Sequence, residues 1–351
     1  MKARPLFCLG FFLAALASGM SAPDPPALPE YRPGQKISGV LRSWGNPHMA
    51  SVMKNWEDGF RRYHPDVFFA DNLKSTATGI FGLNEWVADL ALMGRQAYTY
   101  EYYGVYRRSL LLPVEIAVAT GSFAAPGKSF ALAVFVHRDN PLAQLTLAQL
   151  DGIFGAQRDG GWDGLNWRKD SARGPEKNLR TWGQLGLTGE WADKPIHPSG
   201  PPGIYPGGQS FFQRRVMGGA DTWAEGLMEF EDRKKMMEAL GRDPLGIAYT
   251  GMCYETPQTK PLALAENDRG PFVAPTKAGV ADRTYPLSRT VYIYFSPDTP
   301  GGEPANPKVD PKVREFLRYI LSRQGQADVS REGDYLPLTA ALVGEQLKKL
   351  E

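Results

Sequence analysis

Three loops in this 351-residue chain set glycines or small hydroxyl and amide side chains just ahead of an expected helix: Ser43 to Asn46, Ser75 to Gly79, and Gly207 to Ser210. The first turn of a helix leaves N–H groups unpaired and carries the positive end of the dipole. Such loops can hold an anion, and Ser and Thr hydroxyls add donors. Ordinary N-capping uses the same residue types, so each loop taken alone reads as a cap. Three of them in one alternating α/β chain point further, because ligands in such folds sit at the carboxyl ends of strands. The expected donors are Ser43, Asn46, Ser75, Thr76, Thr78, Gly207, Gly208 and Ser210, with Ser199 shortly before the third loop. Arg95, after Gly94 at the end of a short apolar run, is the expected cation for ligand charge, with a salt bridge as its alternative role.

Other chemistries find no support. Gly121 to Ser129 looks like a phosphate loop, but five residues separate Gly121 from Gly127 where four are required. His48, His64, His137 and His197 show no His-x-x-x-His spacing and have no partner cysteines, so no metal site is expected. No Gly-x-Ser-x-Gly elbow occurs. Cys253 follows a strand-like apolar run, where a thiol is usually inert. No catalytic residue and no cofactor is therefore expected, and a secreted hydrolase ranks last among the readings.

The elements that must position these loops alternate between short strands and amphipathic helices. Asn46-Pro47 reads as an N-cap with Pro at the first helical position, followed by Met49, Val52, Met53, Trp56 and Phe60 at helical spacing, up to His64-Pro65. Val67 to Phe69 is a strand, and Ser75 to Gly79 leads into a helix carrying Ile80, Leu83, Trp86 and Val87. Leu90 to Met93, Glu115 to Thr120, Ala131 to Val136, Gly246 onward and Val291 to Phe295 are further strands. Helices are expected over Leu145 to Phe154, over Phe211 to Met217, and after Asp310-Pro311 with Val313, Phe316, Leu317, Ile320 and Leu321 inward. The loose Gly121 to Ser129 segment is a candidate crossing between domains.

Composition fits a folded globular chain: 42% hydrophobic and 22% charged residues. Forty Lys and Arg against 38 Asp and Glu give +2, too little to suggest a nucleic-acid partner. Lys2 and Arg4 precede the apolar stretch Leu6 to Leu16, small residues follow at Ala15-Leu16-Ala17 and Ser21-Ala22, and a Pro-rich linker comes next. Residues 1–22 therefore read as a signal peptide cut between Ala17 and Ala22, most simply before Pro23, and 23–34 as a linker. No apolar run approaches the ~20 residues of a membrane span. Loss of Lys2, Arg4 and Cys8 leaves a neutral exported chain with one thiol, Cys253.

Ala131-Leu-Ala-Val-Phe-Val-His-Arg-Asp-Asn-Pro141, followed by Leu145-Thr-Leu-Ala-Gln-Leu-Asp-Gly-Ile-Phe154, resembles the second-lobe entry of phosphate-type solute-binding proteins of ABC importers. Thr181-Trp-Gly-Gln-Leu-Gly186, Gly246 to Gly251, Tyr285-Pro-Leu-Ser-Arg289 and the closing stretch from Val313 through Gly325-Gln326 to Glu332-Gly333 and Pro337 are similar in the same order. The resemblance implies a type II periplasmic-binding-protein fold, with two α/β lobes joined by two hinge strands and ligand in the cleft. Lobe 1 would take residues 35–125 and 286–351 and lobe 2 residues 126–285, with the return near Tyr285 to Ser288. It further implies a non-catalytic, monomeric periplasmic protein that captures phosphate or a related anion and hands it to an ABC permease. The matched site departs from the family at two points. Gly94 stands where phosphate binders often carry Ser or Asp. Tyr205-Pro-Gly-Gly208 replaces a Gly-Ser-Gly-Thr loop whose preceding arginine is absent. A two-lobed scaffold or sensory protein that has lost tight phosphate binding is the alternative.

Overall fold

The computed structural model describes residues 27–201, 206–297 and 308–351. The expected signal peptide, the first four residues of the linker (23–26), and Tyr205 of the third loop lie outside the described residues. The chain opens with β1 (Gly39–Gly45), α1 (Ala50–Phe60), β2 (Val67–Asn72), α2 (Thr76–Asn84), β3 (Leu90–Met93), α3 (Thr99–Ser109) and β4 (Val114–Thr120). It continues through β5 (Leu132–His137), β6 (Gln144–Thr146), α4 (Leu147–Phe154), β7 (Gly161–Asp163) and β8 (Asn166–Arg168). There follow β9 (His197–Gly200), α5 (Pro206–Val216), β10 (Met228–Glu229), α6 (Arg233–Leu240), β11 (Gly246–Gly251), β12 (Thr259–Pro261), β13 (Ala263–Ala265) and α7 (Lys277–Ala281). Last come β14 (Thr290–Phe295), α8 (Pro311–Ile320), α9 (Arg323–Glu332) and α10 (Ala340–Leu347).

Two mixed five-stranded sheets organise these elements, in the orders β2-β1-β3-β14-β4 and β10-β9-β11-β5-β12. Each repeats one plan. In the first, β2, β1 and β3 run parallel and β14 is antiparallel to both its neighbours. In the second, β10, β9 and β11 run parallel and β5 is antiparallel on both sides. In each case the antiparallel strand is the one that follows a passage between sheets, from β4 to β5 or from Leu287 back to β14. Gly121 N–H donates to Arg289 O at 2.9 Å and Leu132 N–H to Leu287 O at 3.1 Å, which ties the two passages side by side.

Each sheet has its own core. Trp56 and Phe60 of α1, Leu41, Leu92, Ile293 and the inner face of α8 form the first. Val134, Ile153, Trp182, Phe212, Ile247 and Tyr249 are among the residues of the second. At roughly 1.5–3 kcal/mol for each fully buried large apolar side chain, each lobe has enough apolar burial to organise its own sheet. Tyr31, inside the stretch read as linker, is buried and its hydroxyl donates to Glu315 at 2.8 Å, so packing begins before Gln35.

Local signals place the starts of two helices. Asn46 accepts from His48 N–H at 3.0 Å and starts a 3-10 turn at Pro47–Met49 that runs into α1. Asp310 accepts from Lys312 N–H at 2.7 Å, with Pro311 first in α8. Three expectations need correcting. Trp86 and Val87 lie beyond α2, because Trp86 adopts φ +57° and Val87 and Ala88 both donate to Gly82 O. Leu145 belongs to β6, paired with Leu264 of β13, and α4 starts only after its cap Thr146. The helix expected from Phe211 begins five residues earlier at Pro206, because glycines and an N-terminal Pro are tolerated in a first turn.

Candidate functional site

The carboxyl ends of the parallel strands in both sheets face one cavity of about 490 Å³. From the first sheet come Asn46, which follows β1, Ser75 and Thr76, which follow β2, and Gly94, which follows β3. Across from them stand Pro201 after β9, Gly207 and Gly208 in the first turn of α5, Arg233 at the start of α6, and Tyr249 and Thr250 of β11. The passage between β4 and β5 adds Lys128, Ser129 and Phe130, and the return adds Arg289.

The expected site residues divide. Asn46, Ser75, Thr76, Gly94, Arg95, Gly207 and Gly208 all border the cavity. Ser43, Thr78, Ser199 and Ser210 do not, and their hydroxyls serve local bonds. Ser43 donates to the Asp71 carboxylate, Thr78 to Ser75 O at 2.8 Å, Ser199 to Ile247 O at 3.5 Å and Ser210 to Gly207 O at 3.4 Å. Ser75 is the N-cap of α2, accepting from Ala77 N–H at 3.3 Å.

Arg95 is on the wall, but its charge is already matched. Its two terminal nitrogens donate to Glu101 at 2.7 and 2.9 Å, and its guanidinium lies 4.0 Å from the centre of the Tyr98 ring. Both members of this pair are buried, so removing either carboxylate or cation would strand the other. The salt-bridge alternative for Arg95 thus describes its contacts.

Arg289 is the cation that sequence reasoning missed. It sits at the return between sheets, fully buried, with Nη2 donating to Gly94 O at 2.5 Å and Nη1 to Phe130 O at 3.5 Å. Among the described residues no carboxylate pairs with it. Burial without a counter-charge pulls its pKa down to about 10, the cost of holding a cation in a poorly solvated place. A Cβ built on Gly207 would stand 3.4 Å from Arg289 Nη2, so the guanidinium and the first turn of α5 share one corner. A charged side chain inside the apolar run from Leu287 to Phe295 is the signal that could have exposed it.

Lys128 comes from the loop rejected as a nucleotide-binding motif, and it too is neutralised, by Glu332 and by Asp334 at 3.6 Å. His48 is held below its ordinary pKa by burial and by the nearby Lys128 and Arg289 cations, so it stays neutral near neutral pH. Among the described residues the Tyr249 hydroxyl and Thr250 Oγ1 are buried and find no hydrogen-bond partner. The wall therefore offers N–H donors, hydroxyls and a buried unmatched guanidinium, which suits an anion. Among the described residues no group of metal-ligating side chains gathers. Cys253 is half-buried off this wall, its thiol pKa raised by burial.

Residues 32–324 match the PBP superfamily domain. The chain is 31% identical to the phosphate-binding protein PstS of Pseudomonas aeruginosa, over 100% of this chain and 99% of that one. It is 32% identical to the protein SphX of Synechococcus elongatus, over 60% of this chain and 54% of that one. Among solved structures, an ABC-type phosphate transport receptor from Vibrio cholerae superposes with a TM-score of 0.53 at 19% identity, covering 84% of this chain and 99% of that one. PstS from Borrelia burgdorferi superposes with a TM-score of 0.54 at 15% identity, over 87% and 99% of the two chains. These superpositions agree with the fold described above.

Proposed function

The chain belongs to the PBP superfamily, and from that premise we propose that it is an exported, non-catalytic solute-binding protein that captures an oxyanion of the phosphate class for an ABC importer. Lobe 1, residues 35–125 and 286–351, and lobe 2, residues 126–285, close on the anion about the two passages. Ligand contacts to both lobes favour the closed arrangement. One observation carries the reading: Arg289, buried without a carboxylate, at the corner where the first turn of α5 meets the Gly94 loop. The full-length relative it matches is named as a phosphate-binding protein, which supports binding without catalysis. Among the described residues no helix is long and apolar enough to cross a membrane, and the leader at 1–22 supports export to the periplasm.

Arg289 is the residue that recognises ligand charge, while Arg95 orders the wall through Glu101. Calorimetric titration with inorganic phosphate separates the two. Arg289→Gln should weaken binding by roughly one to two decades, the value of a charge-assisted hydrogen bond of about 1.5–3 kcal/mol. An undiminished affinity in that variant would remove Arg289 from the site. A scaffold or sensory role is the second reading, favoured by Pro206, which brings no N–H to the first turn of α5. Wild-type protein that takes up no oxyanion at all would establish it in place of import.

A further inference from the structure

The same cavity also bears on which oxyanion enters. Sulfate and the two common ionisation states of phosphate share a tetrahedral shape. They differ in charge and in whether an oxygen carries a proton. A site distinguishes a protonated oxygen by giving it an acceptor, and the strongest side-chain acceptor is a carboxylate. Among the described residues the wall carries five cationic side chains, Lys74, Arg95, Lys128, Arg233 and Arg289, and no Asp or Glu. The adjoining stretch from Pro202 to Tyr205 contains no acidic residue either.

The acids nearby are engaged with other groups. Glu101 is bound to Arg95, Glu332 and Asp334 to Lys128, and Asp71 to Ser43. Gly94 itself brings no side chain, and a Cβ there would come 2.5 Å from both Asn46 Nδ2 and Ser129 Oγ, so an acid at this position would have to displace both side chains. The other titratable groups on the wall are His48, held neutral by burial and its cationic neighbours, and Tyr249 and Tyr254; burial raises the Tyr249 phenol. Hydroxyls of Ser75, Thr76 and Ser129 can accept, but as neutral oxygens that serve equally well as donors.

We infer that this cavity selects its anion by charge and tetrahedral shape and not by its proton, so that it takes fully ionised oxyanions, sulfate and the phosphate dianion, ahead of the phosphate monoanion. The inference rests on the oxyanion reading of the site and narrows it. A protonated oxygen would find no carboxylate acceptor on the described wall, whereas a dianion meets donors and cations there.

Competition calorimetry on the wild-type protein tests this, with inorganic phosphate and sulfate at constant ionic strength at about pH 6 and about pH 8. Phosphate should bind roughly tenfold more tightly at the higher pH, as the monoanion gives way to the dianion. Sulfate, ionised throughout, should change by less than about threefold and should displace phosphate with an affinity within roughly tenfold of it. Phosphate affinity equal at both pH values, or sulfate unable to displace phosphate, would overturn the inference and leave the oxyanion reading standing. An equal pH shift for sulfate would place the titration in the protein and not in the ligand, and would overturn it as well; His48 would give the opposite sign, since its protonation strengthens anion binding at the lower pH. Binding of neither anion would overturn both.

Discussion

Arg289 and Arg95 stand on one wall with opposite electrostatic circumstances, and that difference decides which of them can recognise a ligand. Arg95 has a bidentate carboxylate partner, so an arriving anion gains little from it. Glu101→Gln should release that charge and raise phosphate affinity by roughly threefold to tenfold, at a cost to stability from the unpaired buried guanidinium. Calorimetry and denaturant melts on the one variant read both effects. A second residue-scale prediction concerns Glu57, whose carboxyl is raised to about 8, by burial first and then by its hydrogen bond with Asp71. The folded state prefers the protonated acid, so the full contribution is present below the unfolded value and is lost as pH rises through about 8. Melting temperature should therefore fall between about pH 5 and about pH 8 more steeply in wild type than in Glu57→Gln, and parallel pH profiles would contradict this.

Helix starts do two jobs in this fold, and substitution can separate them. Asp310 caps α8 far from the cavity, so Asp310→Ala should cost about 0.5–2 kcal/mol in denaturant unfolding and leave phosphate affinity unchanged. Ser75 caps α2 on the wall itself, so Ser75→Ala should weaken phosphate severalfold as well as costing some stability. Equal effects of the two variants on affinity would mean that the α2 start contributes nothing to the ligand. Those caps were legible in the sequence because a cap is local: one polar residue, Pro or Ser, then an apolar stripe. The α3 helix was not, because Tyr100, Tyr103 and Tyr106 face solvent and blur its apolar stripe. Its start depends on Tyr98 N–H donating to Glu101 at 2.7 Å. Arg289 was illegible as a site residue for a related reason. Its partners Gly94 O and Phe130 O lie about 195 and 159 residues away, so only the assembled fold brings them to it.

At the scale of the molecule, the repeated sheet plan makes the cavity a property of two bodies meeting. Beyond the two passages, the lobes touch where Arg214 of α5 donates to Ala97 O and reaches Gln96 Oε1 at 3.5 Å, and where Thr99 Oγ1 donates to Gly164 O at 2.7 Å. Such bonds favour the closed arrangement, so a ligand bound between the lobes draws on them. Arg214→Ala, which lies off the wall, should therefore lower phosphate affinity by roughly threefold to tenfold, about 1 kcal/mol, and unchanged affinity would argue against coupled closure. The sequence carried this scale well: the collinear motifs from Ala131 to Pro337 implied both lobes, and the two sheets have that form. The central claim, an oxyanion held between the lobes by Arg289, is tested most directly by anomalous diffraction from crystals grown with arsenate. The account predicts one arsenic peak within hydrogen-bond reach of the Arg289 guanidinium and of the first turns of α2 and α5. A peak elsewhere on the molecule, or an empty cleft at saturating arsenate, would contradict it.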